Sequence, residues 1–398
     1  MSGRRRPVLR ALSLLGLLAT CSGKSNARDA TRVQHAVVGP SAAPAACEGL
    51  SASNANRSRT HFPQNPELSF RSRLPGGIGQ APASDAAGNL IILHGEPRLS
   101  KLDPKGRTLW SERLSSEAAC APVLTSDGSI LVVTRDAEAW YFSASGKRLF
   151  KQQLELSDPR AHTLAIPTSS GGALVASGSE LVQLDGSGHV LRHTRAKGGV
   201  AAIAESNGEL VLVSINGAVE LARESGDFEL VGSFGGALSE GAAVQGGKAF
   251  AIVDAHKWAM LDLSSGQVLT LATDSTLALT GPAALFATHG AALVADGGFV
   301  SLRAPDGAEA LRIALAAGAQ GFDPALRGLR PALVISDPDG AVAAVQSGLD
   351  ALVVSPDGSA TRIDNTSCLD PFRPTPTPSG LVFACRSGQL FAVSGKAP

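Results

Sequence analysis

The sequence predicts an all-β fold, an eight-bladed β-propeller, from two interleaved glycine series and the short apolar runs between them. The first series is Gly88, Gly128, Gly171, Gly208, Gly247, Gly290, Gly340 and Gly380, with steps of 40, 43, 37, 39, 43, 50 and 40 residues. The second is Gly106, Gly146, Gly188, Gly226, Gly266, Gly307 and Gly358, in turns such as Asp103-Pro104-Lys105-Gly106 and Ser355-Pro356-Asp357-Gly358. Such turns use Pro to preset φ, Asp to cap the backbone and Gly to accept positive φ. A period near 40 residues that holds several strands is the signature of a propeller blade. Seven blades is the alternative count, because the fourth copy (Gly208 to Gly217) has a loose closing turn and the sixth has Ala-rich strands, Ala291-Ala292-Leu293-Val294-Ala295. Alanine is a weak strand former, so tertiary packing must hold that strand.

Each unit reads as a short strand, a turn, an apolar strand, another strand, a second turn and a closing strand. The clearest copies are Pro82 to Leu93 and Pro122 to Val133. Closing strands follow the second turn, as in Thr108 to Leu114 and Leu149 to Leu154. The eighth copy ends at Pro398 before a closing strand can form. Leu68 to Leu74 has the matching pattern at the other end, so it is expected to complete the last blade and close the ring, hiding the terminal sheet edges.

The unit "turn-Gly, apolar strand, strand, Asp-x-x-Gly, x-x-Leu-Trp", complete at Asp103 to Trp110, resembles the pyrroloquinoline-quinone-type (PQQ-type) repeat. That repeat builds eight-bladed quinoprotein dehydrogenases and the non-enzymatic lipoprotein propellers of the outer-membrane barrel-assembly factor B group. The resemblance covers roughly residues 68 to 398 and implies a fold far more specifically than a function.

Lys and Arg total 35 and Asp and Glu total 35, which argues against a nucleic-acid partner. Beyond the N-terminus no window is long and apolar enough to span a bilayer; Ile313 to Ala319 comes nearest and reads as part of an excursion in the sixth or seventh blade. Residues 1–21 read as a signal peptide, with Arg4, Arg5, Arg6 and Arg10 before the apolar run Ala11 to Leu18. Leu18-Ala19-Thr20-Cys21 resembles a lipobox, which implies lipidation of Cys21 and, with Ser22 following, the outer membrane. Thr20 stands where a smaller residue is usual, and cleavage nearby to release a soluble periplasmic protein is the alternative. Residues 22–63, rich in Ser, Ala, Asn and Pro, read as a flexible tether, and residues 64–398 as the propeller.

Export permits disulfides. Cys368 precedes the first strand of the last blade and Cys385 lies in its second strand, so their bond would staple the point of closure; two separate buried thiols are the alternative. Cys47 with Cys120 is the remaining pairing, and Cys47 falls in the tether. No Cys-x-x-Cys occurs, and His189 and His193 flank a strand at a spacing of about 13 Å, which does not suit a metal. The quinone cofactor of the dehydrogenases would need a vicinal Cys pair and a Trp platform, and its calcium would need Glu, Asn and Asp. No two cysteines are adjacent, and Trp110, Trp140 and Trp258 all fall inside repeat units, as expected for packing between blades. Asp337-Pro338-Asp339-Gly340 reads as a plain turn and not a calcium loop. No nucleophile elbow or phosphate loop is present. No catalytic, cofactor-binding or metal residue is therefore assigned. The expectation is a non-catalytic, monomeric envelope scaffold that binds cell-envelope proteins, including outer-membrane assembly components, and meets the membrane by its lipid alone. The alternative is a divergent quinoprotein dehydrogenase, hydrolase or lyase with residues converging on the central channel.

Overall fold

Strand pairing in the computed structural model repeats one unit eight times around a ring. It describes residues 46–47, 56–158, 161–222, 227–238, 241–274, 278–286, 290–295, 298–315, 332–345, 351–363 and 368–396. Among these residues there are 32 strands, in eight antiparallel sheets of four, and no helix. The sheets are the blades, numbered here in chain order of their inner strands. Those inner strands are β2 (Ala83–Ser84), β6 (Val123–Leu124), β10 (Thr163–Pro167), β14 (Val200–Ser206), β18 (Ala243–Gln245), β22 (Leu279–Leu285), β26 (Leu333–Ser336) and β30 (Thr375–Thr377). Successive inner strands touch from β6 round to β26, and β30 touches β2.

Within a blade the second strand is buried on both faces, as in β3 (Leu90–Leu93) and β23 (Ala291–Ala295), where every residue is buried. This explains why these runs are continuously apolar and not alternating. The outer strands, such as β5 (Thr108–Arg113) and β9 (Arg148–Gln153), are mostly exposed. The core therefore sits between blades. One cluster joins Ile91, Leu93 and Leu99 of blade 1 to Leu124, Ile130, Val132 and Phe142 of blade 2, and other clusters fill the remaining interfaces. The Ala-rich β23 fits this arrangement, because small side chains on both faces let the flanking sheets come close.

A second contact recurs nearer the rim. At six blade interfaces the outer strand of one blade presses on the second-turn glycine of the next. A Cβ on Gly106 would lie 2.9 Å from the ring of Phe70, and one on Gly146 would lie 2.6 Å from Trp110. Phe150 stands in the same relation to Gly188. In blades 4 and 5 the carbonyls of Val231 and Leu271 take that place against Gly266 and Gly307, and Leu311 meets Gly358 at 3.1 Å. These glycines also have positive φ, +87° at Gly146, so both backbone shape and space exclude a side chain. Trp110, which completes the repeat motif, is thus the knob that fits a blade to its neighbour's turn.

The ring closes as the N-terminal pattern predicts. β1 (Gln64–Arg73) pairs antiparallel with β32 (Gln389–Lys396), giving the sheet order β1-β32-β31-β30, with β31 spanning Gly380–Ala384. Leu74 and Ile78 then donate backbone hydrogen bonds to Gly388 (2.8 Å) and Arg386 (3.1 Å), tying blade 8 to the start of blade 1. Cys368 and Cys385 are disulfide-bonded, with Cα atoms 5.7 Å apart. Cys385 lies just after β31 and not within it, so the bond joins the linker entering blade 8 to the end of its second strand.

Two expectations need correction. Residues 46–47 and 56–63 do not behave as a tether: Cys47, Asn56, Ser58 and Phe62 are all buried. Reading by composition passed over them because few of their side chains are large and apolar, although Cys47 and Phe62 join the core and backbone hydrogen bonds tie others to strand ends. Ile313 is not part of a loop excursion but lies in β25 (Glu309–Ala314), the outer strand of blade 6. Residues 316–319, the 1–21 leader with Cys21, and Gly226 lie outside the described residues.

Turn aspartates share one geometry. The Asp85 carboxylate accepts from the N–H groups of Ala87 (3.0 Å) and Asn89 (2.9 Å), and Asp103 accepts likewise from Lys105 and Arg107. Partial burial pushes the Asp85 carboxyl up, but hydrogen bonds from Lys101 and Asn89 outweigh it and hold it below the usual carboxylate range. Lys101, 8% exposed, reaches Asp85 at 2.8 Å. Hydrogen bonds from the Ser264 hydroxyl and the Ser265 and Ser264 amides hold Asp262 at about 2.

Three outcomes follow from these contacts. Gly146→Val forces a side chain into Trp110 at positive φ and should cost about 2–4 kcal/mol in urea unfolding, whereas Gly128→Ala, with open space at its Cβ, should cost only the backbone strain, about 1–2 kcal/mol. Because the turn carboxylates titrate lower in the folded state, their stabilisation is present above the unfolded pKa and is lost as pH falls through the folded value. The melting temperature should therefore hold from pH 7 to about 5 and fall below about pH 4. Asp85→Asn leaves Lys101 half-compensated and should lower stability by about 2 kcal/mol at pH 7, with a smaller loss at pH 3, as read by calorimetry.

Candidate functional site

The alternation of strand direction gives the ring two unlike faces. First and second turns, including Asp85–Asn89, Asp103–Arg107 and Asp337–Gly340, emerge on one face, here the turn face. The connections between second and third strands, and between blades, lie on the other, the loop face. The candidate sites are the channel mouth and the clefts between blades.

At the turn-face mouth the N-terminal segment lies against the inner strands. Ser58 N–H donates to Ser336 O (2.7 Å), and Ser336 N–H donates to Asn56 O (3.0 Å). Asn56 Nδ2 donates to Ala283 O (2.9 Å), and Phe62 N–H donates to the Asp337 carboxylate (2.9 Å). The other Asp337 oxygen accepts from Asp339 (2.9 Å) and Ala341 (2.8 Å) N–H, so Asp337 to Gly340 is a turn that also anchors the segment. Arg57, Arg59 and His61 point outward while Ser58 and Phe62 are buried, an alternation of period two that was present in the sequence and could have identified the segment.

Among the described residues, two of the inter-blade clefts that reach solvent stand out by size. One, of about 300 Å³, lies between blades 6 and 7 and is lined by Phe286, Leu302, Pro305, Pro338 and Pro356. Arg303 borders it, with its guanidinium 3.2 Å from Glu309 and 3.7 Å from Asp274. The other, of about 220 Å³, lies between blades 2 and 3 and is lined by Gln152, Gln153, Glu155, Val190 and His193. His193 stands 3.9 Å from Glu180, which accepts from Arg195 at 3.0 Å and from Ser157 N–H. Arg303 in the first cleft and His193 in the second thus face carboxylates within the fold.

His189, exposed beside Asp185 (3.5 Å), and His193 belong to separate surroundings. Burial lowers the His94 imidazole pKa and raises that of the Tyr141 phenol, whose ring stacks on Phe150 with centroids 4.2 Å apart. Trp258 is fully buried between blades 5 and 6, stacked on Phe250, and Trp140 packs between blades 1 and 2. With Trp110 on Gly146, each tryptophan serves an inter-blade contact. Cys47 and Cys120 are buried in one cluster spanning blades 2 to 4. Among the described residues no three metal-ligating side chains converge, and no helix is long and apolar enough to cross a membrane.

Comparison with known proteins agrees with this geometry. No curated protein matches the chain. BamB from Moraxella catarrhalis superposes over 84% of this chain and 99% of its own, with a TM-score of 0.61 and 14% identity. The C-terminal WD40 domain of Sif2 covers 85% of this chain and 100% of its own at a TM-score of 0.65 and 12% identity. A virginiamycin B lyase from Staphylococcus aureus reaches 0.51 at 12% identity, over 83% of this chain and 99% of its own. At these identities the likeness is one of fold. Residues 51–319 match the family described as outer membrane protein assembly factor BamB, and with glycine turns recurring from blade to blade and a ring closed by the N-terminal strand, the chain belongs to that PQQ-type repeat family.

Proposed function

We propose that this protein is a non-catalytic scaffold of the bacterial cell envelope, exported by its leader, anchored through lipid on Cys21 and bound to envelope proteins, among them outer-membrane assembly components. The observation that carries this reading is the family match over residues 51–319, taken with an Arg-rich leader that ends in Leu18-Ala19-Thr20-Cys21. Arg303 and His193, the basic side chains of the two inter-blade clefts, are paired with carboxylates within the fold, which supports binding over chemistry. Rigid blades that present turns and loops on two broad faces suit protein recognition, since loops on a fixed frame carry binding with little ordering cost.

Expressed with its leader in a Gram-negative host, the protein should take up labelled palmitate and sediment with membranes, and Cys21→Ala should abolish both. Affinity capture from solubilised envelopes should recover outer-membrane assembly components. Recovery of none, or a new visible absorption band and dye-linked alcohol oxidation on adding pyrroloquinoline quinone with calcium, would replace the scaffold reading with an enzymatic one.

A further inference from the structure

Several polar contacts of the segment upstream of β1 fall at one end of the inner strands. Ala46 O accepts from Leu124 N–H (2.8 Å), and Leu124 is the last residue of β6 in blade 2. Asn56 and Ser58 flank Ser336, the last residue of β26 in blade 7, and Asn56 also reaches Ala283 in β22 of blade 6. Thr60 Oγ1 donates to the carbonyl of Thr377, the last residue of β30 in blade 8 (3.4 Å). His61 meets Asp339, in the first turn of blade 7, at 2.8 Å. The described residues 46–47 and 56–61 thus contact four blades, mostly where the inner strands run into the first turns.

Burial gives the second observation. Inner strands border the channel, and a polar residue added to an open mouth would stay wet. Asn56 is 1% exposed and Ser58 2%. Water is excluded from them, so the turn-face mouth is filled where they lie. Asn56 also sits at φ +50°, a left-handed conformation that Asn tolerates and that turns the chain along the strand ends.

We propose that this segment is a built-in plug: Ala46–Cys47 and Asn56–Phe62 seal the turn-face mouth of the channel, leaving the loop face as the route by which any channel ligand or partner group enters. The plug also completes inner sheet edges that would otherwise present unpaired N–H and C=O groups to the axis. This inference stands whether the protein proves to be a scaffold or an enzyme.

Hydrogen exchange on the full chain tests it. The Leu124 and Ser336 amides have partners in the plug, so they should exchange at least about a hundredfold slower than in an unstructured peptide. In a variant lacking residues 22–60 they should lose that protection, while Leu131 and Ala343, inside blades 2 and 7, keep theirs. If that variant does not fold, Ser58→Pro removes the N–H that holds the segment to Ser336 O, which should loosen the neighbouring Asn56 carbonyl that accepts from the Ser336 amide and speed exchange at that amide about tenfold or more. Fast exchange at Leu124 and Ser336 in the full chain would overturn the proposal, as would undiminished protection in a folded variant.

Discussion

No blade in this protein can be last. Each sheet is apolar on both faces, so each requires a neighbour on either side, and an open row of eight would leave two large apolar faces in water. A closed ring removes that cost, and the chain closes it by giving blade 8 an outer strand from the N-terminal end of the fold. Everything else in the structure is arranged around this demand: continuous apolar runs in the second strands, small residues where sheets approach closely, and a disulfide beside the seam. The seam also determines how the ring opens, because separation of β1 from β32 would expose the interfaces on both sides of blade 8.

The rim contacts explain why the sequence repeats at the period it does. Phe70, Trp110 and Phe150 follow one another by 40 residues, as do Val231, Leu271 and Leu311, and each meets the second-turn glycine of the following blade. A glycine there satisfies two needs at once, a left-handed backbone and room for the neighbouring strand. The Asp-x-x-Gly-x-x-Leu-Trp motif is therefore an assembly signal, with the aspartate holding its own turn, the glycine receiving the previous blade and the tryptophan engaging the next. A motif of this kind specifies a ring without specifying what the ring binds.

The fold was legible in the sequence for that reason. Gly88, Gly106, Gly128 and Gly146 mark their turns by backbone requirement, and the closing role of Leu68 to Leu74 followed from the missing outer strand of the eighth copy. What escaped was held by means that leave little trace in composition. Asn56 to Phe62 bind through backbone groups, polar side chains and one phenylalanine, so a reading by apolar content passed over them despite their alternation. Ile313 belonged to a strand whose partner, Val300, lies across a turn with Ala, Pro and Asp residues. The cleft at Phe286 and Pro338 draws its walls from two blades and leaves no local signature, as is general for sites assembled between repeats.

The scaffold reading rests on a rigid ring with two distinct faces, one of them bordered by the chain's own N-terminal segment. Rigidity comes from closure, so the seam is where the account is most directly tested. Arg73 and Gln389 are register partners on β1 and β32. Cysteines at both positions should cross-link on mild oxidation, as shown by peptide mass mapping, while Arg71→Cys with Gln389→Cys, two residues out of register, should not. Failure of the in-register pair to cross-link, or equal cross-linking of the two pairs, would contradict closure of the ring by β1.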